Sequence, residues 1–262
     1  MSGDEMIAGA LALLVLWVVL ARQVLPMLML SRLVAPPRLR LSLLVFFVVA
    51  GAVVHVTMVT ASSWDVQSSA LYTAYYDLIG AAWIGLAILG MHHLGLSLRD
   101  DVLERRNPAA LFALGGALVG HAFAYAGGNI GDGPGWWCVV IASGLGALTL
   151  FAAWLVLHLV ARVPETITVE RDRSAGIRVG ALFVGIGLVA GRAAAGTWVS
   201  VEDTVWSFAA VAWPVVPLLG LSVAIELGLQ PPRVAPRPVS GLVALGYLGA
   251  SAGVVYVHGA AF

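Results

Sequence analysis

Two glutamates in this sequence recur with the same neighbour and could line an ion path. Glu104 is followed by Arg105, and Glu170 is followed by Arg171, 66 residues further along the chain. Carboxylates grouped at the mouth of a membrane path attract cations, as acidic rings do in cation channels. The alternative is that both acids solvate a loop and favour the positive N-terminal end of the helix that follows. The sequence leaves both interpretations open.

Two histidines recur at the same interval as the glutamates. His92 and His158 are also 66 residues apart, and each lies near the end of an apolar stretch. Their rings could form a proton relay or bind a metal ion. The alternative is that each ring lies at a membrane interface with its polar tip in water.

A single acid, Glu226, lies about four residues inside the end of a long apolar stretch and has no partner nearby in the sequence. Pro214 and Pro217 precede it and would bend a helix, because proline lacks the N–H of the helical hydrogen bond. A broken helix that carries an acid is typical of ion sites in transporters. The candidate ion-path residues are therefore Glu104, Glu170, Glu226, His92 and His158.

Another pair of histidines could serve as axial haem ligands. His55 and His121 would lie at similar depths, about 20–23 Å from the same end of their helices. Bundle cores are common places for cofactor sites. No spacing motif supports haem, so interhelical hydrogen bonding is the main interpretation and a b-type haem or a metal the alternative. No other cofactor is expected.

Three further charged residues fall within or beside apolar stretches. Arg178 is predicted to extend its guanidinium into water at a membrane surface, as long basic side chains can. Arg192 and Asp77 both lie near the opposite surface, and we expect them to pair.

The composition identifies the environment in which these residues work. Hydrophobic residues make up 60% and charged residues 11% of the 262, with a mean hydropathy of +0.95, whereas soluble domains carry about 25% charged residues. A water-soluble protein is excluded, and the lipid bilayer is the predicted partner. The net charge is zero, so nothing favours a nucleic-acid partner. No catalytic motif occurs, and we expect no enzyme.

Apolar stretches long enough to cross a bilayer, about 20 residues each, fill most of the chain. Only helices or closed barrels satisfy the backbone in lipid, and these stretches lack the period-2 alternation of strands. The predicted fold is all-α, a polytopic bundle of about eight transmembrane helices. The predicted spans are residues 6–30, 40–62, 76–98, 108–128, 136–161, 175–196, 204–228 and 239–259.

The loops differ sharply in charge between the two sides of the predicted bundle. Those after the first, third, fifth and seventh spans hold eleven arginines, and the opposite loops hold none. Positive loops stay in the cytoplasm, and aromatic residues cluster at the opposite boundary. A multi-pass protein with both termini outside is predicted.

Glycines spaced four residues apart predict close helix contacts, because small residues let helix backbones approach each other in lipid. We interpret them as packing residues, within the chain or between the copies of a homo-oligomer. The pairs are Gly116 and Gly120, Gly176 and Gly180, Gly187 and Gly191, and Gly249 and Gly253.

Residues 78–127 resemble residues 144–193 when the chain is shifted by 66 positions, which also places Ala109 on Ala175. Each unit reads as an apolar helix, a charged loop and a helix rich in Gly and Ala. We predict tandem two-helix repeats related by an axis along the membrane normal, as in parallel-repeat transporters. The predicted units are an N-terminal hairpin 1–75, repeat 1 at 76–135, repeat 2 at 136–200 and a C-terminal hairpin 201–262.

The segment 104–110, ERRNPAA, runs into Gly115, Gly116 and Gly120 and resembles the signature of domain of unknown function 350. The family comprises YjfL-like bacterial inner-membrane proteins, in which the domain often occurs in tandem. The second copy, 170–176, carries Arg173 and Ser174 where the first has Asn107 and Pro108. The resemblance covers about residues 76–196. It implies an inner-membrane location, a tandem arrangement and a role near envelope homeostasis.

The sequence thus favours a non-enzymatic membrane protein that passes a small cation or a proton between duplicated hairpins. The alternative from another class is a scaffold that recruits a cytoplasmic protein partner through the charged loops 99–106 and 162–174.

Overall fold

Helices account for almost all of the residues that the computed structural model describes, which are 2–25, 36–229 and 236–259. The longer helices, numbered in chain order, are α1 (Gly3–Val19), α2 (Pro37–Thr60), α3 (Ala70–His93), α4 (Pro108–Gly127), α5 (Trp136–Ala161), α6 (Arg173–Ala194), α7 (Val201–Ala212), α8 (Val215–Gly228) and α9 (Arg237–Val257). The shorter segments are the helices Trp64–Gln67 and Val163–Thr168 and the π-helical turns Leu20–Val24 and Leu98–Glu104.

The predicted all-α membrane bundle is confirmed. Seven helices in the described part of the chain are long and apolar enough to cross a bilayer, and α7 with α8 forms an eighth candidate, bent by 48°. The bend lies at Trp213–Pro214, where the prolines predicted it. The end of the first predicted span, residues 26–30, lies outside the described residues.

The centre of the bundle is formed by α4 and α6, which run parallel and touch along almost their whole length. Glycines bring the two backbones together at successive levels. A Cβ built on Gly116 would lie 2.1 Å from the Gly180 carbonyl oxygen, and one on Gly127 would lie 2.0 Å from that of Gly191. Since no side chain fits between the backbones, the packing of small residues predicted from the spacing is confirmed at this interface.

The remaining helices surround this central pair in two groups. Helices α1, α2 and α3 pack together on the α4 side, and α7, α8 and α9 pack on the α6 side, while α5 touches both groups. In an apolar stretch of 18 residues from each helix, 89% of the α4 residues are buried, against 28% of the α2 residues. The outer helices therefore meet the lipid and shield the central pair.

The two ends of the bundle differ in composition. At the end that we call the tryptophan-rich end, the Trp136 indole donates to Asp4 at 3.2 Å, and Arg192 binds the Gly259 carbonyl at 2.6 Å. Both termini of the described chain therefore lie at this end of the bundle. The connections from α3 to α4 and from α5 to α6 form the opposite end, which we call the arginine-rich end.

The starts of α4 and α6 correspond at a spacing of 65 rather than 66 residues. Asn107 caps α4 and Asp172 caps α6, each with its side-chain oxygen accepting backbone N–H groups of the first turn. The residue before each cap is left-handed, with φ of 52° at Arg106 and 60° at Arg171. The structural counterpart of Asn107 is thus Asp172, and the expectation that Arg173 replaces it was wrong by one residue.

Candidate functional site

The two loops at the arginine-rich end are joined to each other. The Asn107 amide donates to the Ile167 carbonyl at 2.7 Å, and the Arg171 guanidinium donates to the Arg105 carbonyl. Glu104 and Glu170 are both exposed, and Glu104 pairs with Arg99 at 2.9 Å. Asn107 and Asp172, not these glutamates, cap the helices. Ala109 and Ala175 are buried in the first turns of α4 and α6.

Removing the Asn107 side chain should cost more stability than removing its counterpart Asp172. Asn107 is fully buried and makes a cap and a cross-loop bond, so Asn107→Ala is expected to lower the free energy of unfolding by about 2–3 kcal/mol. Asp172→Ala loses a cap and should cost about 1 kcal/mol. Thermal denaturation of both variants in one detergent measures the difference. Equal losses would show that the cross-loop bond contributes nothing.

The histidines predicted at the inner ends of their helices lie in different surroundings. His92 is half buried, with its ring 5.5 Å from that of His93, and His158 is exposed on the outside of α5. Among the described residues, no group of three or more His, Cys, Asp or Glu side chains could hold a metal ion.

The two histidines of the haem alternative each have a partner of their own. His55 Nδ1 donates to the Asp77 carboxylate at 2.8 Å. His121 is buried, with Nδ1 donating to the Ala117 carbonyl at 2.8 Å and its ring 4.8 Å from Phe151. His121 therefore bonds within its own helix rather than between helices.

An ion pair inside the bundle joins α6 to α8 and α9. The Arg178 guanidinium donates twice to Glu226, from Nε to Oε1 and from Nη2 to Oε2, both at 2.7 Å. Its third nitrogen, Nη1, donates to the Ser240 hydroxyl at 2.8 Å. The two ionised side chains are 1% and 3% exposed, so water does not reach them. The expectation that Arg178 extends into water was wrong, and Glu226, which has no partner nearby in the sequence, pairs with a residue 48 positions away.

Buried hydroxyl groups continue from this ion pair along the interface of α6, α8 and α9. Ser240, Tyr247 and Ser251 are seven and four residues apart on α9 and so share one face. Ser222 of α8 faces Tyr247. The hydroxyls of Ser222, Tyr247 and Ser251 make no hydrogen bond of normal geometry within the described part of the chain. We call these six residues the polar seam: Arg178, Ser222, Glu226, Ser240, Tyr247 and Ser251.

The polar seam reaches a cavity beside the proline break. The cavity has a volume of about 270 Å³, and Ser251 lines it together with Pro214, Pro217 and Val254. Four residues beyond Val254, the carbonyl of His258 accepts a hydrogen bond from Arg192 at the tryptophan-rich end. Arg192 therefore binds the end of α9, and the prediction that it pairs with Asp77 was wrong.

Sequence reasoning singled out Glu226 but missed its partner and the hydroxyls. Arg178 and Glu226 are 48 residues apart and share no motif. The signal that could have paired them is general: both are ionisable residues inside apolar helices, and such residues pair with one another in membranes. The serines and Tyr247 carry no such signal, because these residue types are common in helix interfaces.

A comparison with known families finds a match that covers the centre of the bundle. The family model described as Domain of Unknown Function (DUF350) matches residues 95–195. The match contains α4, α5 and α6 but neither α3 nor the helices that supply Glu226 and Ser240. No curated protein and no solved structure matches the chain.

Proposed function

We propose that this membrane protein, whose residues 95–195 form a DUF350 domain, passes protons across the bilayer along the polar seam. The observation that carries the proposal is the buried Arg178–Glu226 ion pair with a file of hydroxyls leading away from it. Ionisable side chains within a bilayer are costly, and in pumps and transporters they form proton relays. The seam supplies such a chain: a carboxylate, a cavity and three hydroxyls that make no hydrogen bond of normal geometry among the described residues.

The energetics favour a functional role for the ion pair. Removing a carboxylate and a guanidinium from water costs several kcal/mol for each ion, and a well-packed apolar pair of similar volume would often be as stable. Packing alone therefore gives little reason to keep Arg178 and Glu226. A proton that binds Glu226 removes one of the two charges and leaves the guanidinium uncompensated, which favours release of the proton or movement of α8. The 48° break between α7 and α8 provides a place for that movement.

The nature of the seam favours a proton over a larger cation. Hydroxyl groups can accept and donate hydrogen bonds at once, and so they relay protons. A metal cation instead needs several oxygen or nitrogen ligands around one point. The backbones of α4 and α6 touch, which leaves no room for a side chain between them. This supports a path beside the central pair rather than between the duplicated hairpins.

The orientation and the duplication are parts of the same proposal. The positive-inside rule supports a cytoplasmic location for the arginine-rich end, with both termini outside. The matching caps and left-handed residues, 65 positions apart, support an origin of α3–α4 and α5–α6 from one hairpin. The proposed protein is thus a transport protein rather than an enzyme.

Loss of the seam hydroxyls should stop proton movement without unfolding the protein. The variant Ser222→Ala, Tyr247→Phe, Ser251→Ala removes three hydroxyls that make no hydrogen bond of normal geometry, so the stability should change little. Proton flux into proteoliposomes under a pH gradient, followed with an enclosed pH dye, should fall about a hundredfold or more, the lower end of the range for loss of a proton-transfer group.

Two control variants test whether the loss of flux is specific to the polar seam. The variant Thr60→Val, Thr149→Val, Thr168→Val also removes three hydroxyls, each bonded to a carbonyl of its own helix, and should keep the flux. The variant Glu104→Gln, Glu170→Gln removes the exposed acids and should also keep it. Vesicles that stay tight to H⁺, Na⁺ and K⁺ with the unaltered protein would refute conduction. If only the glutamate variant lost proton flux, the path would have to run through the loops that carry Glu104 and Glu170.

A further inference from the structure

A groove lies on the side of the bundle away from the polar seam, and its shape suits a chain-like molecule. Helices α1, α2 and α3 enclose a cavity of about 630 Å³. Most of its wall is apolar, and the exposed side chains of Leu13 and Trp17 on its rim place its opening toward the lipid. Further apolar lining residues are Leu16, Phe47, Ile84 and Ile88.

One polar pair interrupts this apolar wall. His55 Nδ1 donates to Asp77 Oδ2 at 2.8 Å, and both residues line the groove. His55 is five residues from the end of α2 and Asp77 is seven from the start of α3, which puts the pair about 8–10 Å below the tryptophan-rich end. From Asp77 the groove continues to Ile88, about 16 Å deeper into the bundle. Its polar end is thus shallow and its apolar end deep.

The atom that this pair leaves free defines the chemistry of a complementary group. Asp77 Oδ1 is buried and makes no hydrogen bond within the described residues. The groove therefore presents a free carboxylate acceptor at its polar end. In lipid, where water does not compete, an acceptor without a donor is costly.

We propose that this groove binds a membrane-soluble long-chain alcohol, with the hydroxyl on the His55–Asp77 pair and the chain along α1 and α3. A hydroxyl is a neutral donor and satisfies the free acceptor of Asp77. A phospholipid is disfavoured, because its phosphate would lie against the Asp77 carboxylate and two like charges repel in a medium of low dielectric constant. The depth profile also fits, since a lipid-like alcohol keeps its head shallow and its chain deep.

Photolabelling in lipid nanodiscs tests the site with a defined probe, hexadecanol that carries a diazirine on its chain. Labelled peptides should come from α1, α2 and α3. Unlabelled hexadecanol should compete about tenfold better than hexadecyl methyl ether, because the ether lacks the donor and loses one hydrogen bond to a charged acceptor. In Asp77→Ala, the two competitors should become equal. Equal competition in the unaltered protein would overturn the proposal.

A groove-filling variant provides an independent readout. Gly51 lines the groove, and a Cβ built there meets nothing within 4 Å, so Gly51→Leu should fold and occupy the space of the chain. Labelling of α1–α3 should then fall about tenfold. Gly144 of α5 also has open space around its Cβ position but lies outside the groove, and Gly144→Leu should leave labelling unchanged. Labelling that survives Gly51→Leu, or that appears mainly on other helices, would exclude this site.

Discussion

Replacing Gly116 with alanine is expected to disrupt the centre of the bundle. The added methyl would lie 2.1 Å from the Gly180 carbonyl oxygen, which belongs to the backbone and cannot rotate away. The two helices must separate along their contact, so the loss should exceed the usual 1–3 kcal/mol of an overpacked core and reach about 4 kcal/mol or more. The measurement is the fraction of protein that stays monodisperse after heating in detergent. Gly127→Ala, which meets the Gly191 backbone, should behave in the same way.

The matched control for this substitution is Gly246→Ala on α9. Gly246 is exposed, and a Cβ there meets nothing within 4 Å. Alanine has a higher helix propensity than glycine, so this variant should be neutral or slightly more stable. If Gly116→Ala denatured at the same temperature as Gly246→Ala, the backbones of α4 and α6 could not be in contact.

Loss of either partner of the buried ion pair should also destabilise the protein strongly. Arg178→Leu leaves Glu226 as an uncompensated buried charge, and Glu226→Leu leaves the guanidinium; each should cost about 3–5 kcal/mol. The double variant removes both charges and replaces them with apolar side chains. It should be more stable than either single variant, because no unpaired charge remains. Unfolding in a mixed-micelle titration gives the free energy of unfolding of the unaltered protein, the two single variants and the double variant. Together these four values form a double-mutant cycle.

An exposed ion pair in the same protein calibrates this result. Arg99 Nε and Glu104 Oε1 are 2.9 Å apart, and both side chains are 44% exposed. Arg99→Leu should therefore cost less than about 1 kcal/mol. If Arg178→Leu cost no more than Arg99→Leu, or if the two losses in the buried pair simply added, the fully buried bidentate pair would be refuted.

The sequence was sufficient to predict the helices of the bundle. An apolar stretch of about 20 residues has one stable solution in lipid, so composition and length locate a span such as α5 without tertiary information. The break between α7 and α8 was also predictable, since Pro214 lacks a backbone donor. Both features depend on the residue types within one short segment and not on contacts with distant helices.

Contacts between distant helices were predictable only in part. The glycine spacing predicted close packing, and Gly116, Gly180, Gly187 and Gly191 lie in the contact of α4 with α6. Gly249 and Gly253 have the same spacing, but Cβ atoms there meet nothing within 4 Å in the described chain. The face that a glycine pair presents depends on how the helices are rotated, and spacing does not encode rotation.

The ion pairs show the same limit. Arg178 was expected at a surface, and Arg192 was expected to pair with Asp77, because sequence gives the depth of a residue but not its direction around the helix. Arg178 instead turns toward α8 and α9, while Asp77 turns toward His55. Only the packing of α6 against α8 and α9, and of α2 against α3, selects these partners.

The burial of α4 has a consequence for the order in which the chain enters the membrane. Its mean hydropathy is 1.6, against 2.4 for α2, so the helix with the least lipid contact is also among the less apolar. During synthesis α4 emerges well before α6, its parallel partner, and its glycine surface has no mate at that time. Helix α2 has already emerged, and its Phe46 ring lies directly over Gly115. The N-terminal helices therefore cover the Gly115 side of α4 before α6 is inserted, and the side that carries Gly116, Gly120 and Gly127 is covered only when α6 arrives.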